Sequence, residues 1–128
     1  MSKGVSVVIP SYNEQDNVAK CLTHVYGVVK KLKLEAEIIL VNDGSKDKTA
    51  QIAKSFLSKI PILKIVTNNP NRGYGGSLKA GFAAATKDLI AFFPADNQFD
   101  FSEVSGLLQK LKNEKADMIS GIRENDSD

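Results

Sequence analysis

The chain has 128 residues, of which 42% are hydrophobic and 25% charged; this is near the globular average and excludes an intrinsically disordered chain. A net charge of +2 is too small to signal a nucleic-acid partner, and the single cysteine excludes an intrachain disulfide. The longest apolar runs have the length of strands, so neither a transmembrane segment nor a signal peptide is read, and the expected setting is a reducing cytoplasm.

Along the chain, strand and helix patterns alternate. Val5–Ile9 is a β-branched apolar run that suits a buried parallel strand, with Pro10 expected to stop it. From Asp16 to about Lys33, apolar residues at Val18, Cys21, Leu22, Val25, Val29 and Leu32 follow helical spacing with one core face. Cys21 falls on that face and reads as a small buried hydrophobe. His24 has no Cys or His partner for zinc and reads as a helix-surface residue. Lys30, Lys31 and Lys33 sit where they favour the C-terminal dipole of this helix.

Glu37–Val41 is the second predicted strand, and Asp47–Lys59 a second helix with Ile52, Ala53, Phe56 and Leu57 on one face. Ile62–Val66 follows as a third strand. Gly73–Thr86 reads as a helix entered through a glycine-rich turn, and Leu89–Phe93 as the fourth strand. Asp100 and Glu103 have capping-box spacing and open a helix with Val104, Leu107, Leu108 and Leu111 inward, before a short fifth strand at Ala116–Ser120. Strands alternating with helices predict a parallel sheet with right-handed crossovers.

Polar clusters follow the strands, where ligands collect in open α/β sheets. After the first strand, Tyr12 offers a ring for stacking on a base and Glu14 an acceptor for base or ribose donors; Asn13 or Asp16 alternatively caps the next helix. After the second, Gly44 permits a tight turn, Ser45 or Asp47 suits a helix cap, and Asp43 stands where it could accept an N–H of a base. Asn71–Gly76 holds three glycines in four positions. It is neither a dinucleotide fingerprint, because Leu78 replaces the third glycine, nor a P-loop. Arg72 or Lys79 could face a diphosphate, or either could be a solvated side chain.

The fourth cluster, Pro94–Asp100, packs two carboxylates and two amides into a short loop. Oxygen-only clusters of this kind suit Mg²⁺ or Mn²⁺. Asp96 and Gln98 lie two apart, so in an extended stretch they point the same way and could share one cation, with phosphate oxygens and water completing the shell. The plainer alternative is a polar loop in which Asp100 caps the next helix. Arg123, just past the fifth strand, could brace a phosphate as a bidentate donor.

Taken together and in this order, the clusters resemble the family 2 glycosyltransferases of the GT-A fold, especially the dolichyl-phosphate mannose and polyprenyl-phosphate glucose synthases. The matching pieces are Val7-Val8-Ile9-Pro10-Ser11-Tyr12-Asn13-Glu14, Ile39-Leu40-Val41-Asn42-Asp43-Gly44-Ser45, Asn71-Arg72-Gly73-Tyr74-Gly75 and Ala95-Asp96-Asn97-Gln98-Phe99-Asp100. The resemblance implies one Rossmann-like α/β domain over residues 1–128, with a mainly parallel sheet and helices on both faces. It implies that Pro10, Tyr12 and Glu14 contact the nucleotide, that Val41 and Asp43 line the base site, and that Ala95 and Asp96 belong to the nucleotide site. Asp96 matches the last Asp of the family's Asp-x-Asp motif, the metal position. Gln98 matches a further metal ligand and Arg123 an arginine on the donor phosphates.

The reaction so implied is transfer of a sugar from a nucleotide-diphospho-sugar of the GDP-mannose or UDP-glucose type to a polyprenyl or dolichyl phosphate. It would depend on Mg²⁺ or Mn²⁺ and invert the anomeric centre. Pro94 departs from the family pattern, standing where the first Asp of Asp-x-Asp belongs. Family members continue well beyond this length, so the chain is expected to be a C-terminally truncated donor-binding part, with membrane association supplied by the absent segments. A non-catalytic nucleotide-sugar-binding module or inactive fragment is the alternative. A nucleotidyltransferase would want a glycine-rich loop after the first strand, and Pro10–Glu14 has none.

Overall fold

The computed structural model describes residues 2–96, 105–110 and 118–120. The elements are β1 (Ser2–Ser11), α1 (Val18–Lys31), β2 (Ala36–Asp43), α2 (Thr49–Ser55), β3 (Leu63–Asn68), α3 (Gly73–Ala84), β4 (Lys87–Phe92) and β5 (Met118–Ser120). Residues 105–110 are helical. The five strands form one sheet in the order β3-β2-β1-β4-β5, and every neighbouring pair is parallel. The predicted α/β alternation is therefore what the chain adopts.

Side-chain alternation along the strands builds two cores. Val5, Val7 and Ile9 of β1 and Ile38 and Leu40 of β2 join Val18, Cys21, Leu22, Val25 and Val28 of α1 and Ala53 of α2 on one face, together with Leu108. Val8, Ile39, Val41, Ile90 and Phe92 form the other core, covered by Leu78, Ala80 and Ala84 of α3. Helices thus pack on both faces of the sheet. The thiol of Cys21 is pushed up to about 12, first by burial and then by the charges of Asp96 and Glu14, so it behaves as a protonated apolar group.

Several expected boundaries move, each for a tertiary reason. Pro10 does not stop β1: it stays in register opposite Val41, and Ser11 opposite Asn42. Proline lacks only the N–H, and its carbonyl still accepts the Ala95 N–H at 3.2 Å. Asn42 and Asp43 lie in β2 instead of the following turn, because β3 runs beside them as far as Thr67 and Asn68. α2 is shorter than expected. Beyond Ser55 the backbone closes three-residue turns, Phe56 N–H to Ala53 O, Leu57 N–H to Lys54 O and Lys59 N–H to Phe56 O, and Leu57 is exposed, not inward. The expected capping box at Asp100 and Glu103 lies outside the described residues.

At the end of the sheet away from those strand-end loops, sequence reading had given no role to Glu37. Its buried Oε2 accepts the Ser6 hydroxyl at 2.6 Å, the Thr86 N–H at 2.6 Å and the Thr86 hydroxyl at 2.9 Å, and its Oε1 lies 2.6 Å from Lys64 Nζ. Ser6 in turn accepts the Lys87 N–H at 3.2 Å. Burial alone would raise this carboxyl, but the Lys64 ammonium, Ser6 and Thr86 outweigh it and hold Glu37 down to about 2.

Candidate functional site

The chain order of the sheet reverses between β1 and β4, the kind of switch point at which open α/β sheets open a crevice. A cleft of about 310 Å³ lies there, bounded by Pro10 and Ser11 at the end of β1, Tyr12 and Glu14 after it, Asp43 at the end of β2, Pro94 and Asp96 after β4, and Asn71, Gly73, Tyr74 and Ser77 around the start of α3. The predicted Pro10, Tyr12, Glu14, Asp43 and Asp96 are therefore brought together from three strand ends.

Asp43 is the most heavily bonded of these. Its Oδ1 accepts Asn68 Nδ2 at 2.9 Å and the Arg72 N–H at 2.8 Å, and its Oδ2 accepts the Gly73 N–H at 2.8 Å. Burial pushes its carboxyl up, but the Arg72 N–H, the Asn68 amide, the Gly73 N–H and the Ser77 hydroxyl outweigh that and keep it below the usual carboxylate range. The charge also stands at the N-terminus of α3, where the helix dipole favours it. Asp43 thus seats the glycine-rich turn as well as bordering the cleft. Gly44, at φ +69°, lets that turn come close: a Cβ there would lie 2.7 Å from the backbone nitrogen of Asn71.

The segment after β1 is bound to the loop after β2. The N–H groups of Asn13, Glu14 and Gln15 donate to Ser45 Oγ at 3.0 Å, Thr49 Oγ1 at 2.8 Å and Asp47 Oδ2 at 3.1 Å. In return, Lys46 N–H donates to Asn13 Oδ1 at 2.8 Å and Lys48 N–H to Gln15 Oε1 at 3.1 Å. Asn13 therefore does not cap α1; its side chain serves the neighbouring loop, and its φ of +51° is one that asparagine tolerates. Asp47 does bond the start of α2, accepting the Thr49 N–H at 2.9 Å. Glu14 accepts Asn17 Nδ2 at 3.0 Å.

Other expected residues fall elsewhere. Val41 is fully buried in the core beneath α3 and is not among the residues that line the cleft. Ala95 is also buried, with its N–H on the Pro10 carbonyl. Lys79 borders a separate, apolar groove with Leu78, Phe82, Ala83 and Phe92, away from the cleft. Gln98 and Arg123 lie outside the described residues. Asn71 and Tyr74 belong to the glycine-rich cluster that the sequence marks, whereas Ser77, one turn beyond Gly73 in α3, carries no sequence signal of its own.

The chemistry of the lining is one-sided. Among the described residues, three carboxylates, Glu14, Asp43 and Asp96, border the cleft, and no lysine or arginine does. Two rings, Tyr12 and Tyr74, stay exposed at its edge. No group of three or more His, Cys, Asp or Glu side chains among the described residues is placed to hold a metal by itself. Asp96 nevertheless fits a hard cation of the kind that takes one or two carboxylates and fills its shell with phosphate oxygens and water. No helix among the described residues is long and apolar enough to cross a membrane.

Two similar proteins are a dolichyl-phosphate beta-glucosyltransferase of Dictyostelium discoideum, 32% identical over 93% of this chain and 39% of that protein, and an undecaprenyl-phosphate 4-deoxy-4-formamido-L-arabinose transferase of Pseudomonas fluorescens (strain Pf0-1), 32% identical over 97% of this chain and 36% of that protein. The chain therefore spans less than two fifths of either relative. Among solved structures, mannosyltransferase PcManGT from Pyrobaculum calidifontis, in complex with GDP-Man and Mn²⁺, superposes with a TM-score of 0.73 at 20% identity, over 89% of this chain and 34% of that one. Glucosyl-3-phosphoglycerate synthase from Mycobacterium tuberculosis, with Mn²⁺, UDP and phosphoglyceric acid, gives 0.69 at 24% identity, over 87% and 39%. At these identities the structures establish the GT-A fold. The model of Glycosyl transferase family 2 matches residues 6–128, and the chain belongs to that family.

Proposed function

We propose that this chain is the donor-binding part of a glycosyltransferase that moves a sugar from a nucleotide-diphospho-sugar to a polyprenyl or dolichyl phosphate. The observation that carries the reading is the cleft at the strand-order reversal, which combines exposed aromatic rings with carboxylates and no basic residue among the described lining. Such a lining suits a nucleoside but repels a diphosphate unless a cation intervenes. The two relatives named above act on lipid phosphates, which supports this acceptor class.

In this reading the base lies against Tyr12 or Tyr74, and Glu14 accepts its N–H groups or the ribose hydroxyls. Asp43 fixes the turn that borders the base. Asp96 would hold Mg²⁺ or Mn²⁺, with Gln98 as a neutral second ligand, and Arg123 would reach the donor phosphates. The bound cation would offset the charge that develops on the leaving nucleoside diphosphate. An oxygen of the acceptor phosphate attacks the anomeric carbon as the bond to the diphosphate breaks on the opposite side, which inverts that centre. A phosphate monoester with a second pKa near ~6 is already largely ionised at pH 7, so its oxygen needs no general base. Contact with the lipid's membrane would come from the remainder of a longer protein.

Titration calorimetry with UDP, GDP, UDP-glucose and GDP-mannose, each with and without Mn²⁺, tests the reading. One nucleotide series should bind, and more tightly with Mn²⁺. Absence of binding by all four would overturn it.

A further inference from the structure

Asp47 is half-buried and is not among the residues that line the cleft, yet its carboxylate accepts three hydrogen bonds, two from Thr49 and one from the segment that follows β1. Oδ1 takes the Thr49 N–H at 2.9 Å and the Thr49 hydroxyl at 2.5 Å, and Oδ2 takes the Gln15 N–H at 3.1 Å. Thr49 is fully buried. Because a carboxylate only accepts, the Thr49 hydroxyl must spend its single proton on Asp47, which turns an oxygen lone pair toward the Glu14 N–H, 2.8 Å away. The backbone N–H groups of Glu14, Gln15 and Thr49 can only donate, so the one bond whose direction is open is that of the Thr49 hydroxyl, and the carboxylate of Asp47 sets it.

We infer that Asp47 is a positioning residue for the proposed nucleotide site: acting directly on Gln15 and through Thr49 on Glu14, it fixes the backbone that presents Tyr12 and Glu14 to the cleft. The inference rests on the nucleotide-binding reading above. Asn13 sits between the two presented side chains in the left-handed region, at φ +51°, so the segment turns sharply and its bond partners determine where both side chains go. An amide at position 47 cannot replace the carboxylate. One of its two ends is an NH₂, which would face either the Gln15 N–H or the Thr49 donors.

The test uses Asp47→Asn, Thr49→Val and Thr49→Ser, with UDP and GDP plus Mn²⁺ as ligands and amide hydrogen exchange by NMR on the unliganded protein. Asp47→Asn and Thr49→Val should weaken nucleotide binding about tenfold, as expected for loss of one or two oriented hydrogen bonds. In the same variants exchange should quicken at Glu14 and Gln15 while β1 amides such as Val7 and Val8 keep their protection. Thr49→Ser, which retains the hydroxyl, should behave as the unmodified chain. Unchanged exchange at Glu14 and Gln15 in both disruptive variants would overturn the inference. So would exchange raised equally across the sheet, which marks general destabilisation. If the unmodified protein binds neither nucleotide, the functional reading fails, and the exchange pattern still decides whether Asp47 holds the segment.

Discussion

β2 carries a buried carboxylate near each end, and the two are put to different uses. Glu37, near its start, is closed in by Ser6, Thr86 and the ammonium of Lys64. Asp43, its last residue, is met by side-chain and backbone dipoles from Asn68, Arg72 and Gly73, with no ion pair among the described residues. The first network joins β1, β2, β3 and the entry to β4, and none of its residues lines the cleft. The second leaves one side on the cleft. Burial, several donors and a depressed pKa are common to both, so none of these alone marks a site. What separates them is the open volume beside Asp43 and the exposed rings and carboxylates that share it.

Removing each carboxylate tests the contrast. Glu37→Ala should cost the most stability, about 3 kcal/mol, because Lys64, Ser6 and the Thr86 N–H all lose their acceptor. Urea unfolding would measure it, and nucleotide affinity per folded molecule should stay unchanged; a loss of affinity would break the contrast. Since Glu37 is held at about 2 against an ordinary 4.5, its contribution is complete above the ordinary value and fades as pH falls toward 2. Glu37→Gln should therefore flatten the fall in unfolding free energy across that window.

Asp43→Ala should cost less stability, about 2 kcal/mol, and should in addition weaken nucleotide binding with or without Mn²⁺, since the proposed function puts Asp43 on the base side. A loss seen only with Mn²⁺ would move Asp43 to the phosphates. Asp96→Ala should change stability by no more than about 0.5 kcal/mol while removing the Mn²⁺-dependent part of nucleotide affinity, and Gln98→Ala should do so more mildly. Unchanged Mn²⁺ dependence in Asp96→Ala would make its loop structural.

The elements were legible because parallel strands buried on both faces read as continuous β-branched runs, and α1 shows one apolar stripe. Their ends were not. Asn42 and Asp43 have turn composition, and pairing with β3, and for Asn42 also with Ser11 of β1, keeps them in the sheet. The site was legible as strand-end clusters, since topology carries those ends to one crevice. Its internal wiring was hidden: Ser45, Asp47 and Thr49 look like ordinary capping residues, and their bonds to Asn13, Glu14 and Gln15 span more than thirty positions. The family resemblance implies Val41 at the base site, and strand alternation turns its side chain into the core.

Gly81 lies one turn beyond Ser77 on α3. A methyl group there would come within 2.3 Å of Val8 Cγ1 and 3.3 Å of Val41 Cγ2. The missing methyl lets the helix rest directly on the central strands, and Ser77, Tyr74 and Gly73 ride on the same rigid rod, about 6 to 12 Å away. One hydrogen atom in place of a carbon thus sets how wide the mouth stands. Any larger residue at 81 would act as a wedge, prising Tyr74 away from the strand ends that carry Tyr12, Glu14 and Asp96 without touching either side.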